Sequence, residues 1–107
     1  MVTHDQVRAL ALARSGAVEQ DHHGFPSYRV AGKIFCSLRD APPRLMGKLD
    51  PEDQHNMCEA YPAIVAPVPG YWGFKGATFV DYSAAGPALI QTLLDLAWAK
   101  VAPKRGR

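Results

Sequence analysis

The sequence predicts an α+β domain: a two-layer sandwich of an antiparallel sheet with helices on one face. Three observations carry this. Tyr28-Arg29-Val30 and Ile34 to Leu38 alternate with the period-two pattern of half-buried strands. The strands are joined by tight turns rather than helical crossovers, so neighbours run antiparallel. Segments opening at Thr3, Asp50 and Gly86 carry apolar stripes at helical spacing and need a common surface to bury them.

In chain order, Thr3 and Gln6 form a capping box, and Val7, Leu10 and Ala11 make the inward stripe of the first helix. Gly16 suits the left-handed close of that helix. Ala17 to Asp21 is a weaker strand leading to His22-His23-Gly24. The central hairpin, Gly24 to Arg39, has Ala31-Gly32-Lys33 between its strands. A two-residue loop pairs Arg29 with Ile34 and sets a charge on the apolar face. A three-residue loop pairs Val30 with Ile34 and Tyr28 with Cys36, and is preferred because a buried face penalises the wrong register. Tyr28, Val30, Ile34, Cys36 and Leu38 then face the core, and Arg29, Phe35, Ser37 and Arg39 face away. There Phe35 packs against an arginine stem or serves as a stacking platform.

Asp40 to Pro43 is expected to be a turn whose prolines stop the ladder, and Arg44 to Leu49 a further strand. Asp50-Pro51-Glu52-Asp53 opens a helix with a carboxylate cap, proline at its first position and acids at the positive dipole end. Met57, Cys58 and Tyr61 face inward from it. Ala63 to Val68, crossed by Pro67, is an edge strand or an extended segment, and Thr78 to Tyr82 is another strand. The last helix turns Ile90, Leu93, Leu94, Ala97 and Val101 inward and ends at Pro103.

Composition bounds the rest. The chain has 107 residues, 48% hydrophobic and 21% charged, which fits one globular domain and argues against disorder. Residues 1–107 read as that single domain, with 1–2 and 103–107 expected to fray. A net charge of +2 is only mildly basic. No apolar run approaches the roughly 20 residues that span a bilayer, so no membrane partner is expected. The N-terminus has an acidic residue and no apolar signal core, and the cytoplasm is the expected compartment. Cys36 and Cys58 make no disulfide framework and read as reduced, largely apolar residues.

Chemistry-bearing constellations are sparse. His22, His23, His55, Cys36 and Cys58 lack the spacing of a zinc site, and no metal or other cofactor is expected. Neither cysteine has a local feature that lowers its pKa, and Glu19 with Asp21 reads as a solvated edge, so no enzymatic role is expected. Gly70 to Gly76 holds Tyr71, Trp72, Phe74 and Lys75 between glycines and lacks a phosphate-loop pattern. It either caps the end of the core, the preferred arrangement, or closes over a ligand or partner. Arg29, Lys33, Arg39, Arg44, Lys48 and Lys75 all fall in strands or strand loops. Gathered on one side, they would bind phosphates; scattered, they are a solvated surface.

The run SGAVEQDHHGFPSYRVAGKIFCSL resembles the signature of the MmcQ/YjbR-like bacterial proteins. The resemblance is carried by Gly16, Ala17, Glu19, His23, Gly24, Pro26, Arg29, Gly32, Lys33 and Phe35, then by LMGKLDPED, Phe79-Val80-Asp81 and LAWAKVA. It covers nearly the whole chain. Departures are Ser15 where the family often has proline, Ala77 where it has tryptophan and Trp98 where it has tyrosine. The resemblance implies an α-β(3)-α-β(2)-α order similar to secretion chaperones, and a double-wing, DNA-binding-type domain. Two functions follow as expectations. One is weak or non-specific DNA binding through basic strand loops, using Arg29, Lys33, Arg39, Lys48 and Lys75. The other is a protein-interaction or chaperone-like module using Tyr71, Trp72 and Phe74.

Overall fold

The computed structural model describes residues 2–103; residues 1 and 104–107, which include the basic tail and part of the expected frayed ends, lie outside it. The chain runs α1 (His4–Leu12), β1 (Val18–His22), β2 (Phe25–Val30), β3 (Lys33–Asp40), β4 (Pro43–Lys48), α2 (Pro51–Ala60), β5 (Val65–Pro67), α3 (Tyr71–Phe74), β6 (Ala77–Val80) and α4 (Pro87–Val101). The six strands form one antiparallel sheet in the order β1-β2-β3-β4-β6-β5. Four strands therefore precede α2, one more than the resemblance implies, and the one-turn α3 separates the last two.

The core sits on one face of this sheet. α4 lays Ile90, Leu93, Leu94 and Ala97 against β3 and β4, and α1 adds Val7 and Ala11. Met57 of α2 joins the same cluster. Gly47 lies under Leu93, whose side chain comes within 3.0 Å of where a Cβ would stand, so the absence of a side chain sets the depth of α4. The capping box of Thr3 and Gln6 is formed, with bonds of 2.9 and 3.2 Å. Trp98 of α4 ties back to the end of α1 by donating from its indole nitrogen to the Ser15 carbonyl at 2.8 Å.

The central hairpin differs from the expected register. Tyr28 does pair with Cys36, but the next pairs are Arg29 with Ile34 and Val30 with Lys33. The turn is the two-residue one, with Ala31 at φ 52° and Gly32 at φ 81°, the left-handed pair that matches the strands' twist. A bulge between the two registers leaves Phe35 as the extra residue of β3. Phe35 and Cys36 consequently both enter the core, each 0% exposed, and Ile34 moves to the opposite face. The bulge removes the difficulty with the short loop: Arg29 lies opposite Ile34 without placing a charge in the core.

Other expectations are corrected locally. Val2 is buried and its amide donates to the Tyr82 carbonyl at 3.3 Å. Pro43 does not stop the ladder but begins β4 opposite Asp40. Asp50 makes no side-chain cap; its carboxylate instead lies 3.1 Å from Lys100 of α4. On α2 the inward residues are Met57 and the polar Gln54, while Cys58 is half-buried and Tyr61 exposed. No helix of the described residues is long and apolar enough to cross a membrane.

Candidate functional site

The face of the sheet opposite the helices collects most of the unpaired cations among the described residues. Strand parity explains how. Cys36, Leu38, Leu45 and Val80 point into the core, so their neighbours Ser37, Arg39, Arg44, Met46 and Phe79 point away. The bulge puts Arg29 and Ile34 on the same side, and Lys48 follows Met46 by two residues along β4. Part of this face forms a concave groove of about 680 Å³. Arg39, Lys48, Lys75 and Lys100 line it together with His22, His23, Met46, Phe79 and Trp72, and no Asp or Glu does.

Apart from Lys100, which pairs with Asp50, the cations here face aromatic rings rather than carboxylates. The Arg39 guanidinium carbon lies 4.3 Å from the Phe25 centroid and 5.7 Å from that of Phe79. Arg44 lies 4.7 Å from the Phe79 ring, and Lys48 is 5.9 Å from Trp72. Lys75 is 5.9 Å from Tyr71. Among the described residues, Arg29, Arg39, Arg44, Lys48 and Lys75 enter no ion pair. Arg39 and Arg44 are direct cross-strand partners, a like-charge arrangement that costs stability. The Nε atoms of Arg29 and Arg39 are buried without a protein hydrogen-bond partner.

The acids are drawn to the other layer. Arg8 of α1 donates to Glu19 at 2.7 Å, His4 of α1 lies 3.0 Å from Asp40, and Arg14 pairs with Asp95 on α4. Glu52, Asp53 and Glu59 lie on α2. A chain of net charge only +2 thus carries a cationic face because its acids are spent elsewhere.

The glycine-flanked aromatic segment does not cap the core as preferred from sequence. It forms α3 at the rim of the groove, with Tyr71, Trp72 and Phe74 exposed by 64, 63 and 81%. Gly73 is its inward residue and lies so close to the Val68 carbonyl that no Cβ fits. Gln54 on α2 donates to the Gly73 carbonyl at 2.9 Å and to the Ala77 carbonyl at 3.0 Å. This buried amide fixes α3 against the sheet.

The structure groups Arg29, Arg39, Lys48 and Lys75 of the sequence-predicted cations on the open side. Lys33 is exposed at the hairpin turn, in register with the core-facing Val30, and does not line the groove. His23 and Gly24 form the β1–β2 turn with positive φ, and that turn brings the rings of His22 and His23 within 4.4 Å. The two rings can meet because His23 lies in the turn, outside the strand alternation of β1. Pro26 pairs opposite Asp21 beside the turn, and Gly32 and Phe35 serve the second hairpin and the core.

Phe25, Phe79, Met46 and Lys100 were not legible as site residues. Phe79 lies in the strand expected over Thr78 to Tyr82, but the arginines that face its ring, Arg39 and Arg44, come from β3 and β4, distant in sequence.

The thiols face different chemistry. Burial pushes the Cys36 thiol well up from its ordinary range, with Arg14 opposing weakly, which is the reverse of nucleophile activation. Burial also raises the half-buried Cys58. Among the described residues no three His, Cys, Asp or Glu side chains are grouped to hold a metal ion.

A family model described as YjbR matches residues 12–100. The chain belongs to the YjbR family. A solved Deinococcus radiodurans protein, DR2400, with a DUF419 domain, has the same fold as this YjbR chain: TM-score 0.78, 24% identity, covering 100% of this chain and 83% of that one. No curated protein matches the chain.

Proposed function

We propose that this YjbR protein binds DNA weakly, through phosphate contacts on the open face of its sheet rather than through the turn of the central hairpin. The observation that carries it is the Arg39–Arg44 cross-strand pair, two cations set opposite each other, neither of which forms an ion pair among the described residues. A like-charge pair without a counter-ion is relieved by an anion that bridges it. Lys48 and Lys75 extend the same charge toward α3, and Arg29 toward β1.

The test is fluorescence anisotropy of a labelled duplex carrying a single-stranded overhang, titrated at several salt concentrations. Four phosphate contacts give a slope of log affinity on log salt of roughly −3 to −4. Absence of binding at low salt would overturn the proposal.

A second reading, a protein-interaction or chaperone-like module, has one specific support: Tyr71, Trp72 and Phe74 are adjacent, exposed and apolar on α3. A partner protein seated there would cover all three rings. Saturation-transfer or pull-down experiments with a Phe74→Ser variant test it, because Phe74 does not line the groove.

A further inference from the structure

Resting on the DNA-binding reading above, we infer that the groove takes a single strand, whose bases stack on the aromatic rings while its phosphates meet the cations. A duplex hides its base faces in its own stack and offers proteins phosphates and groove edges. It would use the arginines and lysines of this face but leave the rings idle. A single strand presents both groups at once, and aromatic platforms interleaved with cations are the usual equipment for it.

The placement of the rings favours this. Phe79 lies on the sheet one strand beyond the Arg39–Arg44 pair, its ring 5.7 Å from the Arg39 guanidinium and 4.7 Å from that of Arg44. Trp72 stands at the rim, 63% exposed, with Lys48 beside it. An exposed tryptophan costs free energy in water, and here Gln54 and the tight seat of Gly73 hold it in place rather than letting it fold away. The groove is also concave, with a volume of about 680 Å³. That suits a flexible strand laid along it better than the convex surface of a helix roughly 20 Å across, whose grooves admit protein elements rather than the reverse.

Binding of a labelled 12-nucleotide thymidine strand, a blunt duplex of equal length and thymidine monophosphate tests this, using wild type, Trp72→Leu and Lys48→Gln. The single strand binds at least about fivefold tighter than the duplex and quenches tryptophan emission. Trp72→Leu weakens the strand by about fivefold or more and leaves the salt slope unchanged. Lys48→Gln lowers that slope by about 0.7. Equal affinity for strand and duplex, or a Trp72→Leu variant that binds the strand as wild type does, overturns the inference while the DNA-binding reading stands. A monophosphate that binds as tightly as the strand overturns it too. No binding of either polymer removes both.

Discussion

The side-chain amide of Gln54 donates to the Gly73 carbonyl at 2.9 Å, across 19 residues of chain. The same nitrogen donates to the Ala77 carbonyl at 3.0 Å. A buried glutamine on the inner side of α2 therefore positions α3, and with it the Trp72 ring at the rim of the groove. Replacing Gln54 by Leu removes two buried hydrogen bonds and leaves the carbonyls only their backbone donors, Gly76 N–H to Gly73 and Val68 N–H to Ala77. We expect a loss of about 1–3 kcal/mol in urea denaturation and a shift of the Trp72 indole resonance, with the fold retained.

Gly73→Ala probes the same joint from the other side. A methyl group there meets the Val68 carbonyl, so α3 must lift from the sheet. The expected result is weakened nucleic-acid binding and a displaced Trp72 resonance, with the resonances of β2 and β3 unchanged in a two-dimensional spectrum.

The bulged hairpin makes a sharp prediction about adjacent residues. Phe35→Ala empties a fully buried site and should cost about 3–5 kcal/mol. Ile34→Ala removes a half-buried side chain from the open face and should cost about 1 kcal/mol or less. The unbulged three-residue register predicts the reverse order, and chemical denaturation of the two variants separates them.

How much of this was legible in the sequence follows from which signals are local. The capping box at Thr3, the α4 stripe and the strand expected over Arg44 to Leu49, observed as Pro43–Lys48, depend on neighbours in sequence. The side of Phe35 depends on one inserted residue in β3, and period-two reasoning has no term for that. Asp50 looks like a helix cap locally, but Lys100 lies 50 positions away and claims its carboxylate. The cation set was recognised as a list; its gathering on one face rests on strand order and on the acids being paired by α1 and α4. Gln54 carried no signal, because its partners are backbone carbonyls supplied by α3 and β6.

The buried thiol and phenol predict an alkaline weakness. Burial raises Cys36, and burial with the nearby Glu19 charge raises Tyr28. The unfolded chain therefore loses these protons first, near pH 8.5 for a thiol and about 10 for a phenol. Above about pH 8.5 the unfolded state binds fewer protons than the folded one, so stability falls as pH rises. Thermal unfolding from pH 7 to 10.5 should show this decline, with Cys36→Ala removing its first part. In the native protein at pH 8, Cys36 should resist a thiol reagent that reaches Cys58.

Phosphate contacts on the open face and contacts at the hairpin turn place the binding charge on different residues. The deciding measurement is the DNA affinity of Arg44→Glu/Lys48→Glu beside that of Lys33→Glu, at one low salt concentration, with circular dichroism to confirm folding. The open-face account predicts about tenfold or greater loss for the double variant and less than about twofold for Lys33→Glu. A double variant that binds as wild type does, with Lys33→Glu crippled, would contradict it and return the contacts to the hairpin turn.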